Sequence, residues 1–300
     1  MRPGSLQAWA IALRPRSFAV AASPVLVGTA YALWQCAVVP VPLAALALLC
    51  AVLMQAITNL QNDVGFHLRG GELGGQRQGL PRASSLGLIT PRSLRRAIVV
   101  LSLLSLAAGL GLAAVRGWPV IALGLASLLG ALAYMGGPRP IAYSPFGEFT
   151  VLVFFGWVAV LGTAWLLEAP LGLAAFLLAS AVGCLAAAAL AVNNHRDREH
   201  DSAIGRRTFA VMAGAQASAR LYALLLGAPM VCLVGVALLT HSVWPLLPYV
   251  LAPRMARLAQ DFRASAGGMA YNAILYRTFR LLLEFSLVLS LGLWCAATIR

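Results

Sequence analysis

Apolar residues along this chain come in long, nearly unbroken runs rather than in alternating or narrow-stripe patterns. Nine runs stand out, at approximately 17–37, 41–61, 94–115, 118–136, 147–167, 171–193, 220–240, 243–260 and 278–298. Most approach the roughly 20 residues a helix needs to cross a ~30 Å hydrocarbon layer. Helices satisfy their own backbone groups in lipid, whereas a membrane barrel would read as short alternating strands. The pattern predicts an all-α polytopic membrane protein with nine transmembrane helices. The eighth run is the most interrupted, by Pro245, Pro248 and Pro253. The first run, Phe18 to Val39, leads into further spans and reads as a span rather than a cleaved leader.

Charge placement orients the runs. All 22 basic residues are arginine, and the net charge is +13. With the N-terminus cytoplasmic, twenty of them fall in segments on that side, and only Arg116 and Arg300 fall opposite. This is the bias of the positive-inside rule, so the excess charge reads as topology, with no nucleic acid as partner. At 61% hydrophobic and 10% charged, the chain is far from a soluble domain, about a quarter of which is charged. Its five cysteines stand singly in apolar runs and point to packing, with neither a disulfide framework nor a zinc site.

A weak internal repeat divides the single membrane domain, 1–300. Asn62-Asp63 follows the second run, and Asn194, Asp197 and Asp201 follow the sixth, four helices later. The chain therefore reads as two four-helix pseudo-repeats, about 17–136 and 147–260, plus a ninth helix at about 278–298.

The chemistry concentrates in those two loops. They hold five of the nine carboxylates: Asp63, Glu72, Asp197, Glu199 and Asp201. On a continuing helix Asn59 shares a face with Asn62 and Asp63, and Asn193, Asp197 and Asp201 share another. Two oxygen-rich faces on one membrane side could converge over a common cavity. Hard oxygen donors suit Mg²⁺, which keeps waters and binds substrate phosphates. Arg69, Arg77, Arg82, Arg196, Arg206 and Arg207 could grip phosphate oxygens in forked hydrogen bonds. Tyr134, Tyr143, Phe154, Phe155 and Trp157 could shield an allylic cation. Taken singly, each has a plainer reading: arginines at helix ends as topological signals, aromatics as packing, and His67, His195 and His200 as loop polars. Glu284, inside the last run, reads as a hydrogen-bonding group within the bundle.

Several stretches resemble the UbiA superfamily of intramembrane prenyltransferases, most closely the branch that prenylates 1,4-dihydroxy-2-naphthoate in menaquinone biosynthesis. They are "NLQND" at 59–63, "RQGLPR" at 77–82, "LGLIT" at 86–90, "YMGGPRPIAYSPFGEFTVLVFFGWVAVLGT" at 134–163 and "NNHRDREHDSAIGRRTFAV" at 193–211. The resemblance implies a nine-helix bundle in a bacterial inner membrane, with its site facing the cytoplasm and a lateral opening to lipid. It implies transfer of a polyprenyl group from a polyprenyl diphosphate to an aromatic acceptor such as dihydroxynaphthoate, with Mg²⁺ as cofactor. Carried over by position, Asn62, Asp63, Asp197 and Asp201 are the catalytic residues, and Asp63, Glu72, Asp197 and Asp201 the metal ligands. Asn59, Arg77, Arg82, Arg139, Tyr143, Asn194, Arg196 and Arg206 are the substrate-binding residues. One departure is plain: Phe66 stands where the first motif has its second aspartate. Two other readings remain: a transporter, disfavoured by acids at helix ends rather than mid-span, and a family member with another acceptor, a cyclising reaction or no turnover.

Overall fold

The computed structural model describes residues 2–70 and 79–299. Glu72 and Arg77 lie outside the described residues. The chain runs as α1 (Leu6–Leu13), α2 (Phe18–Cys36), α3 (Val41–Leu68), α4 (Pro91–Arg116), α5 (Trp118–Met135), α6 (Gly147–Leu152), α7 (Gly162–Leu166), α8 (Leu173–Arg196), α9 (Arg198–Ala203), α10 (Phe209–Thr240), α11 (Ala252–Ala264) and α12 (Gly268–Thr298). A π-helical stretch, Val153–Leu161, joins α6 to α7, so Gly147–Leu166 is one continuous span.

Among the described residues, eight helical spans are long and apolar enough to cross a bilayer. Their outward faces are apolar, as Val99, Leu103 and Leu110 of α4 and Val231 and Leu238 of α10 illustrate. The molecule is a multi-pass membrane protein. Polar backbone at the span ends is capped by local means. Thr90 accepts from the Ser93 amide, and Thr208 from the Val211 amide, at the starts of α4 and α10.

The segment expected as an eighth span is built differently from the others. It is a 3₁₀ helix, Trp244–Leu251, that continues into the amphipathic α11. Pro245 and Pro248 lie within the tighter coil, where each removes a backbone donor, and Pro253 sits in the first turn of α11, where a missing donor is tolerated. The composite nevertheless runs antiparallel to α12. Its Trp244 backbone lies against Gly292, Arg254 pairs with Glu284, Asp261 with Arg277 at 2.6 Å, and the Phe262 ring lies 5.1 Å from that of Tyr271. Glu284 also meets Arg280 at 2.7 Å, so its role within the bundle is an ion-paired one.

The main core is centred on α8, which is buried along most of its length against α2, the Val153–Leu161 stretch, α10 and α12. Small residues set the spacing. A Cβ on Gly156 would sit 2.6 Å from the Ala179 carbonyl oxygen, and one on Gly183 2.7 Å from that of Leu152. Only paired glycines let these two backbones cross so closely, the small-residue packing characteristic of membrane helices. A second core joins α1, α3, α4 and the 83–89 turn. It fixes the end of α3, where the first acidic motif lies.

Candidate active site

Both polar motifs ride on helices that extend past their apolar runs. α3 continues to Leu68 and carries Asn59, Asn62, Asp63 and Phe66 as part of its last turns. α8 ends at Arg196, Asp197 caps it, and α9 resumes at once with the Asp201 amide donating to the Asp197 carbonyl at 2.7 Å. The two ends meet: the Phe66 ring stacks on the His200 ring at 6.0 Å, and Phe66 packs with Met135, Ala142 and Ile204.

Each predicted residue then has a definite setting. Asp63 is buried, and its carboxylate accepts from the Ala83 amide at 2.9 Å, the Ser84 amide at 3.2 Å and the Ser84 hydroxyl. It thereby pins the turn at 82–87 that carries Arg82. Arg82 donates to the Asn62 carbonyl oxygen at 2.7 Å, with its guanidinium 4.1 Å from the centre of the Phe66 ring. Asn59 binds the Leu13 carbonyl oxygen at 2.7 Å and the Ser17 hydroxyl at 2.9 Å, so it ties the N-terminal turn to α3.

On the second side, Arg196 grips both oxygens of Asp197 at 2.8 Å each and donates to Asn272 of α12 at 2.8 Å. Arg206 meets Asp201 at 2.7 Å and donates to the Ala142 carbonyl oxygen at 3.0 and 2.8 Å. That triple contact fastens the second motif to the 141–143 turn. Tyr143 faces the Arg69 and Arg206 guanidiniums at 5.3 and 5.6 Å. Arg139 is exposed on the adjoining turn. Burial pushes the Asp201 carboxyl above its ordinary value, against the opposing pull of Arg206.

Sequence reasoning missed Glu148. It is buried at the start of α6 and accepts from Asn194 Nδ2 at 2.9 Å. Its rarity was the available signal, as one of only nine carboxylates in the chain. Glu148 Oε2, Asp201 Oδ2 and Asn62 Oδ1 are buried oxygens with no hydrogen-bond partner among the described residues. Such atoms are costly unless a ligand uses them. Among the described residues, no three His, Cys, Asp or Glu side chains form a metal cluster of their own. Isolated hard oxygens of this kind fit a Mg²⁺ ion that takes its remaining ligands from substrate phosphates and water.

Beside the motifs opens a cavity of about 640 Å³. Asn59, Asn62 and Asn193 line it, as do Tyr134, Phe154 and Phe155, three of the five aromatics singled out above. The acids do not line it: Asp63, Asp197 and Asp201 are turned into the 82–87 turn and the arginine pairs at its edge. Trp157 instead stacks on Phe176 at 5.0 Å and donates to Ser180.

The chain is 36% identical to the 1,4-dihydroxy-2-naphthoate octaprenyltransferase of Escherichia coli, across 96% of this chain and 95% of that one. It is 34% identical to the Mycobacterium tuberculosis protein of the same name, across 95% and 96%. Its backbone superposes on a UbiA homolog from Archaeoglobus fulgidus bound to DMAPP and Mg²⁺, with a TM-score of 0.67 at 16% identity and 97% and 99% coverage. A UbiA homolog from Aeropyrum pernix gives 0.66 at 17% identity, with 93% and 97% covered. The description UbiA prenyltransferase family matches residues 21–278, a stretch containing both acidic motifs and the helices that join them, and the chain belongs to that family.

Proposed function

We propose that this protein transfers a polyprenyl group from an allylic polyprenyl diphosphate to a ring carbon of 1,4-dihydroxy-2-naphthoate, at the cytoplasmic face of a bacterial inner membrane. One observation carries the reading: two acid-bearing helix ends, joined through Phe66 and His200, stand beside a largely apolar cavity of about 640 Å³. A charged headgroup and a hydrocarbon tail need that adjacency. The names of the relatives support the acceptor, and the titles of the structural neighbours support the diphosphate and the metal.

In this reading Asp63, Asp197, Asp201 and Asn62, with Glu72 and now Glu148, supply oxygens for Mg²⁺, which when bound would neutralise charge on the leaving diphosphate. Arg82, Arg196 and Arg206, with Arg77 and Arg139, hold phosphate oxygens, and Asn194 orients Glu148. Arg196 must give up part of its hold on Asp197 when the diphosphate arrives. Tyr134, Phe154 and Phe155 present ring faces to the ionising allylic carbon. The acceptor ring carbon bonds to that carbon, diphosphate leaves with the bonding electrons, and loss of the ring carboxyl as CO₂ restores aromaticity.

The composite Trp244–Ala264 segment serves in the same reading as the remaining span, giving nine with the N-terminus cytoplasmic. Its rise, roughly 35 Å from 3₁₀ and α geometry, is enough to cross the hydrocarbon layer.

The test is turnover by purified protein in lipid nanodiscs, with labelled polyprenyl diphosphate, 1,4-dihydroxy-2-naphthoate and Mg²⁺. Prenylated naphthalenediol with equal diphosphate and CO₂ is expected. Folded protein that releases no diphosphate with this acceptor or with other aromatic acids overturns the proposal.

A further inference from the structure

The cavity carries a charge pattern that the reading above leaves unused. Among the described residues its lining is apolar or neutral except for Arg14 and Arg16, and it includes no carboxylate. Both arginines belong to the turn between α1 and α2. Arg14 holds φ 51° and ψ 62°, a left-handed conformation uncommon for a residue with a side chain. Strain of that kind persists where surrounding contacts enforce it. Here Asn59 bonds to Leu13 and Ser17 on either side, and Gln55 donates to Ser17 at 3.3 Å. The turn is thus strapped to α3 within one helical turn of Asn62.

Arg16 reaches the other wall. Its guanidinium lies 4.4 Å from the centre of the Tyr276 ring. Tyr276 stands four residues along α12 from Asn272, the partner of Arg196. Tyr276 and Asn272, the contacts of Arg16 and Arg196 on α12, are therefore about 6 Å apart along the helix axis, so the two arginine sites meet α12 at successive turns. Tyr276, Phe279, Phe154 and Phe155 line the same cavity.

Two anions must enter this site, and they need separate counter-charges. A diphosphate is served by Arg82, Arg196 and Arg206 at the acidic motifs. A second anion, a carboxylate on an aromatic ring, would be repelled by those acids and requires a cation away from them. The planar fork of guanidinium matches a carboxylate in two parallel hydrogen bonds. We propose that Arg14 and Arg16 form the acceptor subsite, binding the carboxylate of an aromatic acid whose ring lies among the aromatic side chains of the cavity. The inference rests on the transferase reading and adds where, and through which group, the acceptor is recognised.

The experiment compares Arg14→Gln, Arg16→Gln and the corresponding lysine variants with the unaltered protein in nanodiscs. Two readouts are used: KM for each substrate, and equilibrium binding of 1,4-dihydroxy-2-naphthoate and of 1,4-naphthalenediol without donor. The glutamine variants should raise the acceptor KM tenfold or more while the diphosphate KM stays within twofold. Lysine should restore part of the loss. Affinity for the diol, which lacks the carboxylate, should not change. A rise confined to the diphosphate KM, or equal weakening of diol and acid, overturns the subsite. Unaltered protein without turnover would overturn the transferase reading alone, because equilibrium binding still decides what the two arginines hold. If a glutamine variant fails to fold, the lysine variant and the acid-against-diol comparison in unaltered protein carry the same decision.

Discussion

Phe66 shows how a motif position can change chemistry without loosening the site. Where a carboxylate would repel other anions and attract cations, the aromatic ring receives Arg82 on its face, stacks with the His200 ring, and is 1% exposed. Phe66→Ala should cost about 3–5 kcal/mol, the usual toll of emptying a large buried ring site, read by chemical unfolding in detergent. Phe66→Asp should not raise the Mg²⁺-dependent rate, because its neighbours Met135, Ala142 and Ile204 are apolar and Arg82 would pair with the new carboxylate. A gain of tenfold or more would show that the first motif lacks a ligand the fold can still accept.

Asp201 and Arg206 are the other decisive residues. Removing one partner of a buried pair strands the other, so Arg206→Ala should cost about 3–5 kcal/mol, read the same way. The sign of the pH effect follows from burial. The folded state holds the Asp201 proton to higher pH than the unfolded chain does, so this group's contribution is fully present below the unfolded value. It is lost as pH rises through the raised folded value. Asp201→Asn should flatten that part of the stability profile while abolishing turnover. A profile unchanged in the Asn variant would show that Asp201 titrates normally. The sequence indicated these residue types but not their partners. Asp63 could be identified as a motif residue, yet that it pins Ala83 and Ser84 depends on where the chain returns twenty residues later.

At the scale of elements, apolar runs located the spans well and their ends poorly. The second run was expected to stop at 61, but α3 reaches Leu68; the seventh was expected from 220, but α10 begins at Phe209. The reasons are physical: α3 continues past its run into polar sequence, which hydrophobicity cannot register, and α10 starts in a small-residue stretch, 209–219, whose apolar signal is diluted by Gly214, Gln216 and Ser218. α10 also contains a kink at Gly214, whose φ of 82° breaks the helix where the chain leaves the second motif. The π-helical stretch Val153–Leu161 was equally invisible, since its side chains are as apolar as those of any span. Its register brings Gly156 onto Gly183. Gly183→Ala should cost about 1–3 kcal/mol through overpacking and slow turnover by shifting α8, the helix that carries Asn194 and Arg196. Full stability in that variant would mean the crossing can relax.

For the whole molecule, the count of passes and the side of the site are the quantities to measure. Arginine placement predicts the sidedness, with Arg116 opposite the cytoplasmic face; Arg116 and Glu168, from spans distant in sequence, meet at 2.8 Å and so share one end of the bundle. In a cysteine-free background, reporters at Ser202 and Thr298 should label from opposite membrane faces if the Trp244–Ala264 segment crosses. Labelling from one face would reduce the count to eight. The recurring polar motifs were legible in the sequence, and the structure joins them through contacts no periodicity contains, such as Phe66 with His200.

The most direct measurement is an experimental density map of the protein in lipid with Mg²⁺ and a non-hydrolysable polyprenyl diphosphate. The account predicts diphosphate density between Asp197, Asp201 and Asn62, in contact with Arg82 and Arg206, and hydrocarbon density running into the cavity past Phe154 and Phe155. A diphosphate bound elsewhere, or a tail lying outside that cavity, would contradict it.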